Sequence, residues 1–387
     1  MLYIRAVLFL LPILGLVFEG QSWSADTEPN GADLMKFGRQ LEADVATGQG
    51  TFFESIFNVT AIATRAVEGL EMPEAEKSSF LDQCKDNYNI YHVIKPALEQ
   101  GGTFKFTQPA LFQGQRCAQF RLVLPNGGGV NYYNFLLARK PGGLLIRDVH
   151  VLLNGDWLSG TIRRAALPVA LGLTAELADK LTGAESSYVK SIPKLDKASA
   201  ALKEGKYQDA LAILNGLPQD IQQDRGLLVL RLDISKNIGI QEFDDTLATI
   251  QKNFPNDLGF EYILIDAYIS KKDFATAHKK IDSVNKILGF DAYMDVMHAT
   301  LYLQNDDFDG CKTYVQRAIN AEPTLFVAYN TLAAMYLKQK DFKGVLSVIE
   351  KLQNALNIPL DDLVKDDQYA DFVKSEEFKV WKKKHKQ

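Results

Sequence analysis

The sequence predicts a multidomain chain: an N-terminal α+β domain, with helices on a curved antiparallel sheet, followed by an all-α solenoid of helical hairpins. Three observations carry this reading. Residues 103–153 fall into strand-like runs separated by glycine-rich turns. The C-terminal half repeats a set of aromatic, acidic and small residues every 34 positions. At Gly101-Gly102 the apolar period changes from helical to strand-like. A length of 387 residues leaves room for two or three domains. An apolar fraction of 47% beside 24% charged residues excludes a chain disordered throughout. The net charge of -5 lacks the basic footprint of a nucleic-acid binder, so no nucleic-acid partner is expected.

Residues 1–24 read as a secretory signal peptide. Arg5 precedes an uncharged apolar run, Ala6 to Phe18, and Ser22-Trp23-Ser24 supplies small residues at the cleavage positions. The run is shorter than the roughly 20 residues of a spanning helix and is broken by Pro12. No later stretch is long and apolar enough to span, so a mature chain without a transmembrane segment is expected, secreted or periplasmic. That compartment permits disulfides. Cys84 and Cys117 are the candidate pair, and paired and free states both stay open because their separation cannot be read from sequence. Cys311 lies at a small-residue repeat position and reads as a buried small hydrophobe.

Residues 25–185 make the α+β domain. Leu34, Phe37, Leu41 and Val45 form one apolar helical stripe. Phe52, Phe53, Ile56, Phe57, Ile62 and Ala66 suggest a second helix, and Phe80, Tyr88, Tyr91 and Ile94 a third. Strands are predicted over 103–112, 116–124, 130–139 and 144–153. The turns Gln113-Gly114-Gln115, Asn126-Gly127-Gly128-Gly129 and Lys140-Pro141-Gly142-Gly143 are short, which implies an antiparallel meander. Further helices are expected over 155–164 and 173–181.

Residues 186–359 carry the repeats. Tyr268, Tyr302 and Tyr336 are 34 apart, and so are Phe274, Phe308 and Phe342. Ala277, Cys311 and Val345 keep the same step, as do Ile281, Val315 and Ile349. Each unit reads as a helical hairpin, with Asp273, Asp307 or Asp341 placed to accept hydrogen bonds from the first turn of the second helix. Stacking neighbours buries what one hairpin leaves exposed. Lys206-Tyr207-Gln208 and Gln241-Glu242-Phe243 begin the second helices of two less regular units, giving about five. Residues 360–387 read as a capping helical segment with a basic tail.

Chemistry is sparse in this sequence. No serine-nucleophile elbow or phosphate loop is present. Asn305-Asp306-Asp307-Phe308-Asp309-Gly310 imitates the start of a calcium loop, but Gln316 replaces the closing glutamate and the stretch is the repeat turn. His150 near Asp148 and Asp156 could form an acid–base set, with no nucleophile to serve. His278 and His298 lie inside repeats and read as surface or groove residues. Neither catalytic residue, cofactor nor metal site is expected.

The 34-residue spacing and its residues resemble the tetratricopeptide repeat (TPR) family. The resemblance implies a concave face, built by the first helix of each hairpin, that binds a peptide or protein. By register that face takes Tyr262, Asp266, Ile269 and Ser270, then Val296, Thr300, Leu303 and Gln304, then Asn330, Ala334, Leu337 and Lys338. The α+β layout is similar to the nuclear-transport-factor-2-like or cystatin-like group, which implies a pocket between helices and sheet. Tyr91, His92, Tyr132, Tyr133, His150 and Trp157 are its candidate lining, unless they only pack the core. The expected function is that of a non-enzymatic secreted or periplasmic adaptor or scaffold. The alternative is a small-molecule or lipid carrier using the N-terminal pocket.

Overall fold

The computed structural model describes residues 28–125, 128–170, 183–255, 257–356 and 367–384. The predicted signal peptide, the turn at 126–127, the helix expected over 173–181 and the last three residues of the basic tail lie outside them. The chain divides into two compact units, Met1–Phe260 and Glu261–Gln387. An α+β fold followed by a TPR-like helical array is what the elements show.

In the first unit, α1 (Gly31–Ala46) starts at a reciprocal cap between Asn30 and Asp33. It buries Leu34, Phe37, Leu41 and Val45, the stripe read from sequence. Four short helices follow: α2 (Thr51–Ile56), α3 (Val59–Ala66), α4 (Glu74–Asn87) and α5 (Tyr91–Glu99). The strands are β1 (Thr103–Phe112), β2 (Gln115–Val123), β3 (Val130–Lys140), β4 (Gly143–Val151) and the two-residue β5 (Asp156–Trp157). They form one sheet in the order β1-β2-β3-β4-β5, each pair antiparallel. Irregularities at Phe106/Gln108 and Leu136/Leu137 bend it.

One sheet face packs the helices through aromatic rings. Phe120 lies 4.8 Å from Phe104 and 5.1 Å from Phe135 between centroids, and Phe53 stacks on Tyr91 at 5.3 Å. The helix expected over 155–164 begins later, as α6 (Leu158–Ala170), because 156–157 extend the sheet as β5. The Asp148 carboxylate accepts from the Ser159 backbone N–H and hydroxyl, which starts α6 there.

The remaining helices of this unit are α7 (Gly183–Lys203), α8 (Tyr207–Asn215), the single turn α9 (Gln219–Gln222), α10 (Arg225–Ile238) and α11 (Ile240–Asn253). The pairs α7/α8 and α10/α11 are the two irregular hairpins. Only Gly239 separates α10 from α11, which explains the uneven spacing in sequence. Arg225 ties α10 to the sheet loop. It donates from Nε to the Asn154 carbonyl at 3.3 Å, pairs with Asp257 and lies 4.3 Å over the Phe260 ring. Gly155, at φ +67°, leaves room for that guanidinium, where a Cβ would overlap it.

The second unit begins inside α12 (Leu258–Ser270) and continues with α13 (Phe274–Leu288), α14 (Ala292–Gln304), α15 (Phe308–Ala321), α16 (Phe326–Lys338) and α17 (Phe342–Leu356). A 3-10 turn (Asp367–Tyr369) leads to α18 (Ala370–Lys374) and α19 (Glu376–Lys384). The three hairpin turns are copies. Asp273, Asp307 and Asp341 accept from the N–H three residues on at 3.0, 2.8 and 2.9 Å. Their own N–H groups each donate to the tyrosine carbonyl of the preceding helix at 2.9 Å. The residue before each aspartate, Lys272, Asp306 or Lys340, is left-handed, at φ 59°, 58° and 57°.

A side chain in that conformation costs about 1–2 kcal/mol, which glycine avoids at some expense in unfolded-chain entropy. Lys340→Gly is therefore expected to raise stability by about 0.5–1 kcal/mol, read as a higher denaturation midpoint at unchanged slope. Ala277, Cys311 and Val345 are fully buried, as expected of the small-residue position. The tightest approach comes one residue earlier. A Cβ on Gly310 or Gly344 would stand 2.5 Å from the Tyr302 or Tyr336 ring.

Candidate functional site

The first helices of the second-unit hairpins carry the groove candidates at equal register. Ser270, Gln304 and Lys338 are exposed. Asp266, Thr300 and Ala334 are half-buried, as are Asn330, Ile269, Leu303 and Leu337. Tyr262 and Val296 are only 2% and 3% exposed, so packing takes them out of the groove. The Ser270 and Thr300 hydroxyls donate back to the carbonyls of Asp266 and Val296. Lys338 Nζ lies 2.5 Å from Asp306 Oδ1 and donates to the Leu303 carbonyl at 3.2 Å, which ties it to the preceding hairpin turn. The exposed positions Ser270, Gln304 and Lys338 are polar and recur at a 34-residue step, with the apolar Ile269, Leu303 and Leu337 half-buried beside them.

The N-terminal pocket candidates do not form one site: Tyr132, His150 and Trp157 gather on the sheet face away from the helices, and the others lie elsewhere. Tyr91 and Tyr133 are part of the core between helices and sheet. Tyr132 points to the opposite sheet face, as alternation along β3 requires. His150 shares that face and sits 4.3 Å from the Phe112 ring and 5.5 Å from Trp157. Trp157 Nε1 donates to Gln113 Oε1 at 2.9 Å. His92 is exposed on α5. The supposed acid–base set is also dispersed: Asp148 caps α6 and Asp156 pairs with Arg164. Burial holds His150 down to about 4.

Cys84 and Cys117 are free, buried thiols. Cys84 joins the helix-side core, whereas Cys117 alternates with the core residues Ala118 and Phe120 and so faces the other way. The two thiols therefore lie on opposite sides of the sheet. Burial raises them to about 11 and about 12.

The far face of the sheet holds a buried polar row that the sequence reading missed. Thr107 donates to Gln119 Oε1 at 3.0 Å, and Gln119 Nε2 donates to Asn134 Oδ1 at 3.4 Å. His150 lies opposite Asn134 in register. A polar cleft of about 390 Å³ in the first unit is lined by Asn215, Gln222, Arg231, Glu242 and Asp245, among others.

His278 and His298 are not a pair of surface side chains. Their Nδ1 atoms are 2.6 Å apart, and His298 is buried. His298 Nε2 lies 3.1 Å from Asp282 Oδ1. Tyr302 and Tyr314 close the cluster, at 4.4 Å from His278 and 4.6 Å from His298 between centroids. The available signal was register: His278 follows the small position Ala277, and His298 is one turn before Tyr302 in the next hairpin.

No family model matches the chain, and no curated protein matches it by sequence. Similar solved structures include PilW, titled a widely conserved type IV pilus biogenesis factor. It has 12% identity and a TM-score of 0.36, over 50% of this chain and 93% of that one. MamA from Desulfovibrio magneticus RS-1 has 16% identity and a TM-score of 0.35, over 46% and 98%. A tetratricopeptide repeat protein from Parabacteroides merdae ATCC 43184 has 16% identity and a TM-score of 0.35, over 57% and 81%. At these scores the likenesses carry no functional argument, and the TPR-like architecture stands on the copied turns and helical pairs.

Proposed function

We propose that this protein is a non-enzymatic interaction adaptor that holds a peptide or protein along the first-helix face of its second unit. The observation that carries the reading is the exposed row Ser270, Gln304 and Lys338, one residue per hairpin at a 34-residue step. A repeated polar row can contact successive residues of an extended chain, with backbone and side-chain groups paired by Ser, Gln, Asn and Lys. The signal-like pattern of residues 1–24 supports a secreted or periplasmic setting. The carrier alternative gains nothing from the first unit, whose helix–sheet space is filled by Phe53, Phe104, Phe120 and Phe135.

The test is quantitative capture from the native extracytoplasmic fraction by the full chain and by a Gln304→Ala/Asn330→Ala/Lys338→Ala variant of equal melting temperature. A partner whose affinity falls tenfold or more, about 1.4 kcal/mol, supports the reading. Equal capture of every partner by both proteins rejects it.

A further inference from the structure

The histidine pair on α13 and α14 has a geometry with one proton arrangement at neutral pH. The ring planes are within 9°, the centroids 4.9 Å apart and the Nδ1 atoms 2.6 Å apart. Stacked rings stand about 3.5 Å from each other, so two nitrogens this close belong to rings meeting edge to edge. One nitrogen must then donate and the other accept. His298 Nε2 faces the Asp282 carboxylate, which only accepts, so His298 carries its proton there. Its Nδ1 is the acceptor, and His278 supplies Nδ1–H. The chain runs from His278 through His298 to Asp282, with the His278 Nε2 lone pair at its open end.

We propose that this bonded pair is an acid-sensitive latch, closing α13 onto α14 when neutral and forced open when both rings are protonated. A first added proton goes to His278 Nε2 and leaves the N–H···N bond intact. A second has only His298 Nδ1 to occupy, which would set two N–H groups head to head at 2.6 Å with no acceptor between them. The bond then breaks, and two cations repel in a half-dry site.

The surrounding charges set the threshold. From α13 the pair faces Asp282, and from α14 Tyr302, with Asp295 three residues before His298 on the same helix. From α15 it faces Tyr314 and Arg317, the latter held by Asp295 at 3.1 Å and lying 4.7 Å over the Tyr314 ring. Glu261 on α12 is occupied by Lys280 at 2.8 Å, and Tyr329 on α16 by the Pro323 carbonyl at 2.9 Å. Burial lowers both histidines, and neighbouring His278 and Arg317 add to the lowering of His298 against Asp282, holding it at about 4.

The sign follows. The opened state binds protons more readily between its ordinary histidine value near 6.5 and the folded values. The latch is therefore fully effective above about pH 6.5 and is lost as pH falls toward about 4. Because α14 also carries Thr300 and Gln304, opening would release ligand in acid. That consequence rests on the groove reading, whereas the latch itself does not.

The test uses the full chain with histidine labelled at ring carbon, followed by NMR from pH 8 to 3.5 without any ligand, alongside amide exchange corrected for intrinsic rates. Two separate steps are expected: His278 titrates first, and His298 stays neutral until about pH 4. Amides of residues 274–321 then exchange at least tenfold faster at the second step. In His278→Asn, whose amide N–H replaces the donor, the acid-induced exchange step shrinks and His298 titrates higher for lack of a cationic neighbour. Independent titration of both rings near 6.5, or an exchange profile through 274–321 flat across the second step, overturns the latch. The wild-type titration decides even if the variant folds poorly.

Discussion

Phe135→Ala in β3 is expected to destabilise the first unit by about 3–5 kcal/mol, among the largest effects of any single substitution in the chain. Phe135 is fully buried, with Phe120 at 5.1 Å, Phe53 at 6.1 Å and Phe104 at 6.4 Å between centroids. These rings come from α2, β1, β2 and β3, so no single element can move in to fill the void. The loss combines the transfer free energy of the ring with a residual cavity. Thermal unfolding followed by near-UV circular dichroism reads it, at about 2–4 °C per kcal/mol for a unit of this size. Leu111→Ala, at a site 73% exposed on the same sheet, is the control and should stay within about 0.5 kcal/mol.

Phe372→Ala is expected to cost about 3–5 kcal/mol in the second unit, with a particular spatial pattern. Phe372 is fully buried, 5.0 Å from Phe378, 6.0 Å from Phe342 and 6.3 Å from Tyr369. The cap it anchors joins the core formed by Val345, Val348, Ile349 and Leu352 of the last hairpin. Trp381 Nε1 donates to Glu350 Oε1 at 2.8 Å and fastens the cap's far end. Repeat arrays are stabilised between neighbours, so removing the terminal contact frays the array from that end. Amide exchange in Phe372→Ala should rise first in α17, then α16, and least in α13.

The repeat half was legible because its turns are local chemistry. An aspartate three residues before the N–H it accepts, an aromatic after it and a small residue beyond are all visible along the chain. The turn geometry then copies itself at Asp273, Asp307 and Asp341. What register could not supply was depth. Tyr262 and Val296 occupy groove positions by counting, yet neighbouring packing buries them.

In the α+β half the meander was readable from its glycine turns, but the pocket was not. Tyr132 and Tyr133 are adjacent in one strand, so alternation alone sends them to opposite faces. The same rule separates Cys117 from the helix-side core that holds Cys84. The histidine latch was hidden for another reason. His278 and His298 are 20 residues apart on successive hairpins, and only the packing of one hairpin's second helix on the next hairpin's first helix joins them.

The central claim is that partners bind along the first-helix face of the second unit. The most direct measurement places a photo-crosslinking side chain at Gln304, on that face, and in a separate protein at Lys312, exposed on α15. Both full-length proteins are irradiated in the native extracytoplasmic fraction. The account predicts a discrete crosslinked partner from position 304 that is absent from position 312. It also predicts that Asn330→Ala/Lys338→Ala in the same chain diminishes the adduct. A partner crosslinked equally from both positions, or only from 312, would contradict it.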